Sequence, residues 1–423
     1  MKKVLIGLLV LAVAGGGVFA QEWQFNGEIR TGLGMFFFQD DDDPVVGLVT
    51  DDPDEGMRAD LRARVANADG TAGLDILFRA DGGHAPEVRT PHAFGWLNFM
   101  DNMLTLQGGR IDDAAGFNSF DRMAGTRMGE GTGLRLLVRP MDGLVLNLGV
   151  YGRADGWLGF ENDDSPAATS ENMGQVRAVF AVRYEEPGLF RLVAGARTAN
   201  EAHGPAGGFD GWLAVPAAAP NPAIPSRRAQ STSPNNHASA AYFSFEYLGL
   251  GGDGIHIAAS AFFMNLEEFG DYGFMFYYAS FGHTGLVDGM DLRAGVGLGL
   301  AQHDLLDDMY LWIWGSVDYQ LSDRVVPRLD LHYVMGGRSN RQVQTMHHRN
   351  VARGGATFNS DDSFLRIQPS VQFRVQTNTF VELGAVFNVC LGEDENPTWT
   401  RTPVNADRHG VNAAVYALMR VSF

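Results

Sequence analysis

The stretch from Val411 to Phe423 constrains the fold more than any other part of the chain. Val411, Ala413, Val415, Ala417, Met419, Val421 and Phe423 share one face of an extended strand, because successive side chains point to opposite sides. Asn412, Ala414, Tyr416, Leu418, Arg420 and Ser422 share the other. One face is almost wholly apolar and the other is mixed. In water the apolar face needs a covering layer of protein. In a bilayer lipid covers it, on condition that every backbone polar group is satisfied within a closed sheet.

The same period of two recurs along the chain. Met57, Ala59, Leu61, Ala63 and Val65 alternate with Arg58, Asp60, Arg62 and Arg64, and Leu329, Leu331 and Tyr333 alternate with Arg328, Asp330 and His332. Leu365, Ile367, Val371, Phe373 and Val375 alternate with Arg366, Gln368, Ser370, Gln372 and Arg374. Helical spacing does not fit these runs, and alternation excludes the continuous apolar strands of a buried parallel sheet. The pattern predicts strands over 23–37, 56–67, 70–80, 92–100, 103–111, 131–139, 143–153, 173–185, 188–199, 238–250, 253–264, 272–282, 288–299, 308–321, 324–336, 363–376, 379–391 and 409–423. That makes about 18 strands, with 16 the nearest rival count, and most are long enough for a tilted passage through hydrocarbon.

The breaks between these strands alternate short and long. Ala68-Asp69, Asp101-Asn102, Pro140-Met141-Asp142, Glu186-Pro187, Gly251-Gly252, 283–287, Ser322-Asp323 and Thr377-Asn378 are tight and mostly built from turn formers. Segments 38–55, 81–91, 112–130, 154–172, 200–237, 265–271, 301–307, 337–362 and 392–408 are the longer connections. An all-β transmembrane antiparallel β-barrel has this rhythm, with turns on one side and loops on the other. A soluble sandwich or propeller explains the alternation but not the rhythm, and the roughly 40–50-residue repeat of a propeller is missing.

The amino terminus fits export. Lys2 and Lys3 precede an apolar run from Val4 to Phe19, and Val18-Phe19-Ala20 is a small-x-small cleavage pattern. Residues 1–20 therefore read as a signal peptide and 21–423 as a single barrel domain. Nothing after the leader approaches the eighteen consecutive apolar residues of a membrane helix. The net charge of -18 becomes -20 without Lys2 and Lys3, which argues against nucleic acid as a partner. Cys390 is the single cysteine, so disulfides contribute nothing within a monomer.

The leader, the strand rhythm across nearly all of 21–423 and the final Phe423 together resemble the general porin class of bacterial outer membranes. Val421 departs from the pattern, since it is not an aromatic. The resemblance implies an outer-membrane location with both termini periplasmic and the long loops extracellular. It implies outer-membrane lipid and the barrel assembly machinery as partners, and a water-filled channel for passive diffusion of small hydrophilic solutes or ions. A homotrimer and a monomer both fit.

Parity assigns the inward face. Its polar members include Gln24, Asn26, Glu28, Asp60, Asp75, Arg139, Arg183, Arg191, Arg197, Glu246, Asp318 and Asp330. Arg30, Arg62, Arg79, Arg135, Arg177, Arg293, Arg328 and Arg374 are the candidate pore lining. An arginine on the lipid face near the midplane costs roughly 2–4 kcal/mol, and so many charges cannot pack into a dry core. A watery lumen resolves both problems. Bracing pairs are the alternative role, expected for Asp60 with its neighbours and for Asp330 with Arg328.

The third long loop, 112–130, follows Gly108-Gly109-Arg110. In porins resembling this chain the third loop often folds into the lumen, which would make Asp112, Asp113, Asp121 and Arg122 constriction residues. Loop 200–237 is a second candidate plug. The acidic runs Asp40–Asp43, Asp51 to Glu55 and Glu393–Glu395 read as solvated outer loops, with weak divalent-cation binding as the functional option. No cofactor or metal site is otherwise expected. Trp23, Phe36–Phe38, Trp96, Tyr277, Tyr278, Trp312 and Trp314 lie toward strand ends, where headgroup-level aromatics are expected.

No enzyme is expected. The chain lacks a GxSxG elbow, an HExxH pair, a phosphate-binding glycine loop and paired cysteines. His347-His348 lies in a long loop, and parity puts Ser244 and His256 on opposite faces of neighbouring strands. Two further readings remain, a surface adhesin anchored by its barrel and a transporter of hydrophobic solutes. The polar inward face favours the channel.

Overall fold

The computed structural model describes residues 21–37, 45–48, 57–81, 87–111, 131–151, 177–198, 239–249, 254–264, 266, 274–301, 308–335, 341–344, 355–358, 363–376, 379–390, 398–399 and 411–423. Eighteen long strands follow one another in an antiparallel sheet. They are β1 (Gln21–Phe37), β2 (Met57–Asn67), β3 (Ala72–Asp81), β4 (Glu87–Phe99), β5 (Leu104–Ile111) and β6 (Gly131–Met141). Then come β7 (Leu144–Tyr151), β8 (Arg177–Glu186), β9 (Phe190–Arg197), β10 (Ala240–Tyr247), β11 (Ile255–Met264) and β12 (Phe274–Thr284). The last are β13 (Met290–Ala301), β14 (Asp308–Tyr319), β15 (Val325–Met335), β16 (Ser363–Gln376), β17 (Thr379–Cys390) and β18 (Val411–Ser422).

Each strand pairs with the next, and β18 returns to β1 with Ser422 opposite Glu28 and Tyr416 opposite Gly34. At the end of this seam Gly27 and Phe423 exchange two backbone hydrogen bonds of 2.9 Å. Closure along the seam removes the sheet edge that hydrocarbon would leave unsatisfied.

Inward side chains of a cylinder converge and lose exposure, while outward ones diverge. In β18 Ala414 and Leu418 are 4% and 5% exposed, whereas Val415 and Met419 are 48% and 41%. Phe25, Leu33, Leu61, Leu134, Leu148, Phe180, Phe243 and Leu383 stand exposed on the same outer surface of other strands. That apolar exterior suits lipid and not water. No described helix is long and apolar enough to cross a membrane.

The eighteen expected strands are all present, with two differences of extent. β4 begins at Glu87, so the long connection expected over 81–91 shrinks to 82–86. Pro91 offers no N–H to a ladder, and the register slips around it: Leu77 faces His92 but Arg79 faces Arg89. A β-bulge absorbs the extra residue, and the broken alternation hid the first part of the strand. The second difference lies in the expected loops. Val45–Leu48 adds a short strand against β1, while Arg341–Gln344, Gly355–Phe358 and Thr398–Trp399 form a separate three-stranded sheet. Runs of two to four residues carry too little periodicity to separate from loop.

The aromatic expectation is corrected for several residues. Trp23, Phe37 and Tyr277 are exposed as expected, but Trp96, Tyr278 and Trp314 are buried on the inner face. Position near a strand end does not decide the face; register does. Trp96 sits opposite Gly73 and Trp314 opposite Gly295. A Cβ at either glycine would overlap the indole, so the missing side chain gives each ring a bed on the wall.

Candidate functional site

Register brings the polar side chains into rows around the inner wall. Arg420, Arg30 and Arg58 form one row, and Ser422, Glu28, Asp60 and Arg79 the next. Asn26, Arg62, Leu77 and His92 make a third. Like charges side by side are destabilising unless opposite charges intervene. Here neighbouring rows supply them. Glu28 accepts from Arg30 and, at 2.8 Å, from Arg420 Nε across the seam. Asp60 accepts from Arg58 Nη2 at 2.9 Å and from Arg79 Nε and Nη2 at 2.7 and 2.9 Å. Arg62 closes a two-toothed fork on Asp75 at 2.8 and 2.6 Å, and His92 Nε2 lies 3.2 Å from the same carboxylate. A cavity of about 580 Å³ opens against this wall, lined in part by Asn26, Glu28, Arg30, Asp60, Arg62 and Gln376.

A second network braces β14 to β18. Glu382 is fully buried and accepts from Arg328 Nη1 at 3.1 Å, Gln372 Nε2 at 2.7 Å and Tyr416 Oη at 2.9 Å. Tyr416 in turn accepts from Gln368 Nε2 at 3.0 Å. Arg328 Nε donates to Asp318 at 3.0 Å, and Arg374 Nε to Gln372 at 3.2 Å. Elsewhere Arg293 forks onto Asp291 at 2.8 and 3.3 Å, and buried Arg135 donates to Gln107 at 2.7 Å. Arg191 engages Glu246, whose other oxygen lies 2.8 Å from His256 Nε2.

Arg30, Arg62, Arg79, Arg135, Arg293, Arg328 and Arg374 thus share the inner face with these partners. The backbone of Arg177 lies opposite Tyr151 in the same set of rows, but its side chain is outside the described residues. Asp112, Asp113, Asp121 and Arg122, with loop 200–237, the acidic runs and His347-His348, also lie outside the described residues. The bracing pairs expected at Asp60 are present. Arg328 hydrogen-bonds Asp318 and Glu382 in place of the expected Asp330, which adds its charge nearby.

Ser244 and His256 share one face of the sheet, where opposite faces are expected: Ser244 lies opposite Ser260 and Glu246 opposite Ala258. Parity does not carry across a connection whose register is unknown. The two remain apart, because four residues of β11 between Ser260 and His256 span about 13 Å, and His256 is held by Glu246. Glu382 escaped sequence reasoning altogether. A single acid within an apolar strand gives no periodic signal; its inward parity was the only clue. Among the described residues no group of three or more His, Cys, Asp or Glu could hold a metal ion.

The closed barrel, its apolar exterior and its charged interior give the fold of porin-like outer-membrane barrels. The chain is similar over 96% of its length to the outer membrane protein OprD from Pseudomonas aeruginosa, with a TM-score of 0.52, 10% identity and 95% of that chain covered. A doubly substituted OccD1 (OprD) gives a TM-score of 0.51 at 9% identity, with 96% of each chain covered. At such identities the likeness is one of fold. No family model matches the chain, and no curated protein matches it by sequence.

Proposed function

We propose that the protein is a bacterial outer-membrane porin, a water-filled channel through which small hydrophilic solutes or ions diffuse passively. The observation that carries this reading is the inner wall, where guanidinium–carboxylate networks run from β14 through the seam to β4 inside an apolar exterior. Charges in such number are too costly for a dry core, and water in a lumen relieves that cost. On this reading residues 1–20 are an export signal, 21–423 form the single barrel domain, the short turns and both termini face the periplasm, and the long loops face outward. The eight wall arginines orient solutes, and loop 112–130 brings Asp112, Asp113, Asp121 and Arg122 to a constriction. Outer-membrane lipid and the barrel assembly machinery are its partners, weakly held divalent cations collect at the acidic loops, and no catalytic step is involved.

Purified folded protein in planar bilayers should give stepwise conductance; a verified barrel that never conducts would end the channel reading. Deleting 114–124 should raise the conductance, and an unchanged value would place that loop outside the lumen.

A further inference from the structure

Near the short turn between β6 and β7 the arginines are arranged differently from those at the seam. Val145 of β7 lies directly opposite Arg183 of β8, and Arg139 of β6 flanks it on the other side, at the bulge between Val138 and Met141. Two strand spacings separate Arg139 from Arg183, about 10 Å, which two arginine side chains can close from both ends. Arg135 stands further along β6 on the same face, and the charges of both Arg135 and Arg183 act on Arg139. Leu137, Val145 and Ala181 are buried and make an uncharged floor between them.

Seam arginines close their forks on carboxylates, but Arg139 and Arg183 do not. Arg139 donates to two neutral oxygens, Thr105 Oγ1 at 2.7 Å and Asn102 O at 3.3 Å. Arg183 reaches Glu185 only at 3.6 Å, through Nη1. Its Nε is buried and has no hydrogen-bond partner among the described residues. Like charges held together are costly, and an oxyanion taken by the partly exposed guanidinium ends of Arg139 and Arg183 relieves that repulsion.

We propose that Arg139 and Arg183 form a binding station for a small divalent oxyanion at the short-turn mouth of the barrel. Chloride is a point charge with no pair of oxygens for a guanidinium fork, and a monocarboxylate has oxygens for one fork only. A divalent oxyanion presents oxygens to both arginines and matches their two charges. The station deepens the channel reading, yet binding is measurable without conduction.

Calorimetric titration of the folded full chain in detergent, at constant ionic strength, tests it with sulfate, succinate and acetate as probes. Saturable binding of sulfate or succinate at least tenfold tighter than acetate is expected, and whichever binds tighter tells a tetrahedral oxyanion from a dicarboxylate. Arg139→Gln and Arg183→Gln should each weaken it tenfold or more, while Arg324→Gln, in the distant turn before β15, should not. Divalent affinity no better than that of acetate, or equal loss in Arg324→Gln, means diffuse charge and overturns the proposal. If the variants do not fold, phenylglyoxal modification of the wild type replaces them. Sulfate or succinate should slow reaction at Arg139 and Arg183, read by peptide mass spectrometry, and absence of protection by both overturns the proposal. A conducting barrel that binds neither sulfate nor succinate removes the station alone; binding of either without conductance removes the channel and leaves the station.

Discussion

Glu382 shows how one side chain can hold a sector of the wall. It accepts from Arg328, Gln372 and Tyr416, which reach it from three different strands. Removing one partner of a buried ion pair leaves an uncompensated charge, so Glu382→Ala should destabilise the barrel by about 3–5 kcal/mol. Glu382→Gln keeps an acceptor and should cost less, about 1–3 kcal/mol. Guanidinium unfolding followed by tryptophan fluorescence measures both; equal losses would mean that the charge is immaterial. Side chains of this kind were only partly legible in the sequence. The arginines were found because they recur at the strand period, as in Arg58, Arg62 and Arg64. Glu382 stands singly in an apolar strand, and nothing in the sequence announces which neighbour it, Trp96 or Trp314 meets.

Strands themselves were largely legible, because alternation is local and each stave here must show lipid one side and a polar interior the other. β4 departs from its expected span at the start, where Pro91 and its bulge interrupt the period. What an isolated strand cannot reveal is the cross-strand pairing of a large residue with a glycine. Gly295 leaves room for Trp314 to lie flat on the wall. Gly295→Val should push the indole into the lumen, lowering single-channel conductance, and overpacking should cost about 1–3 kcal/mol of stability. Unchanged conductance in the folded variant would show that the ring has another place to go.

At the scale of the molecule, lysine occurs only at positions 2 and 3, so every cation from residue 21 onward apart from histidine is an arginine. Export with cleavage after Ala20 therefore yields a chain without a side-chain amine. An amine-reactive dye applied to the denatured mature protein should label its new amino terminus at most, and a labelled Lys2 or Lys3 would refute cleavage. Guanidinium groups also keep their charge throughout the accessible pH range. Acidification from pH 7 to 3 protonates most carboxylates of the acidic runs while the arginines stay charged. Reversal potentials in a salt gradient should therefore move toward anion preference as pH falls, and movement toward cations would contradict the charged-wall picture. Taken by itself, the sequence determined the strands, their two faces and the membrane as solvent, since these follow from a period of two read over a dozen residues. Only the tertiary structure decided which arginine meets which carboxylate, which aromatics turn inward and where guanidinium groups close no fork on an acid. Those contacts join strands whose register is set by turns, bulges and closure of the barrel, none of which local alternation records.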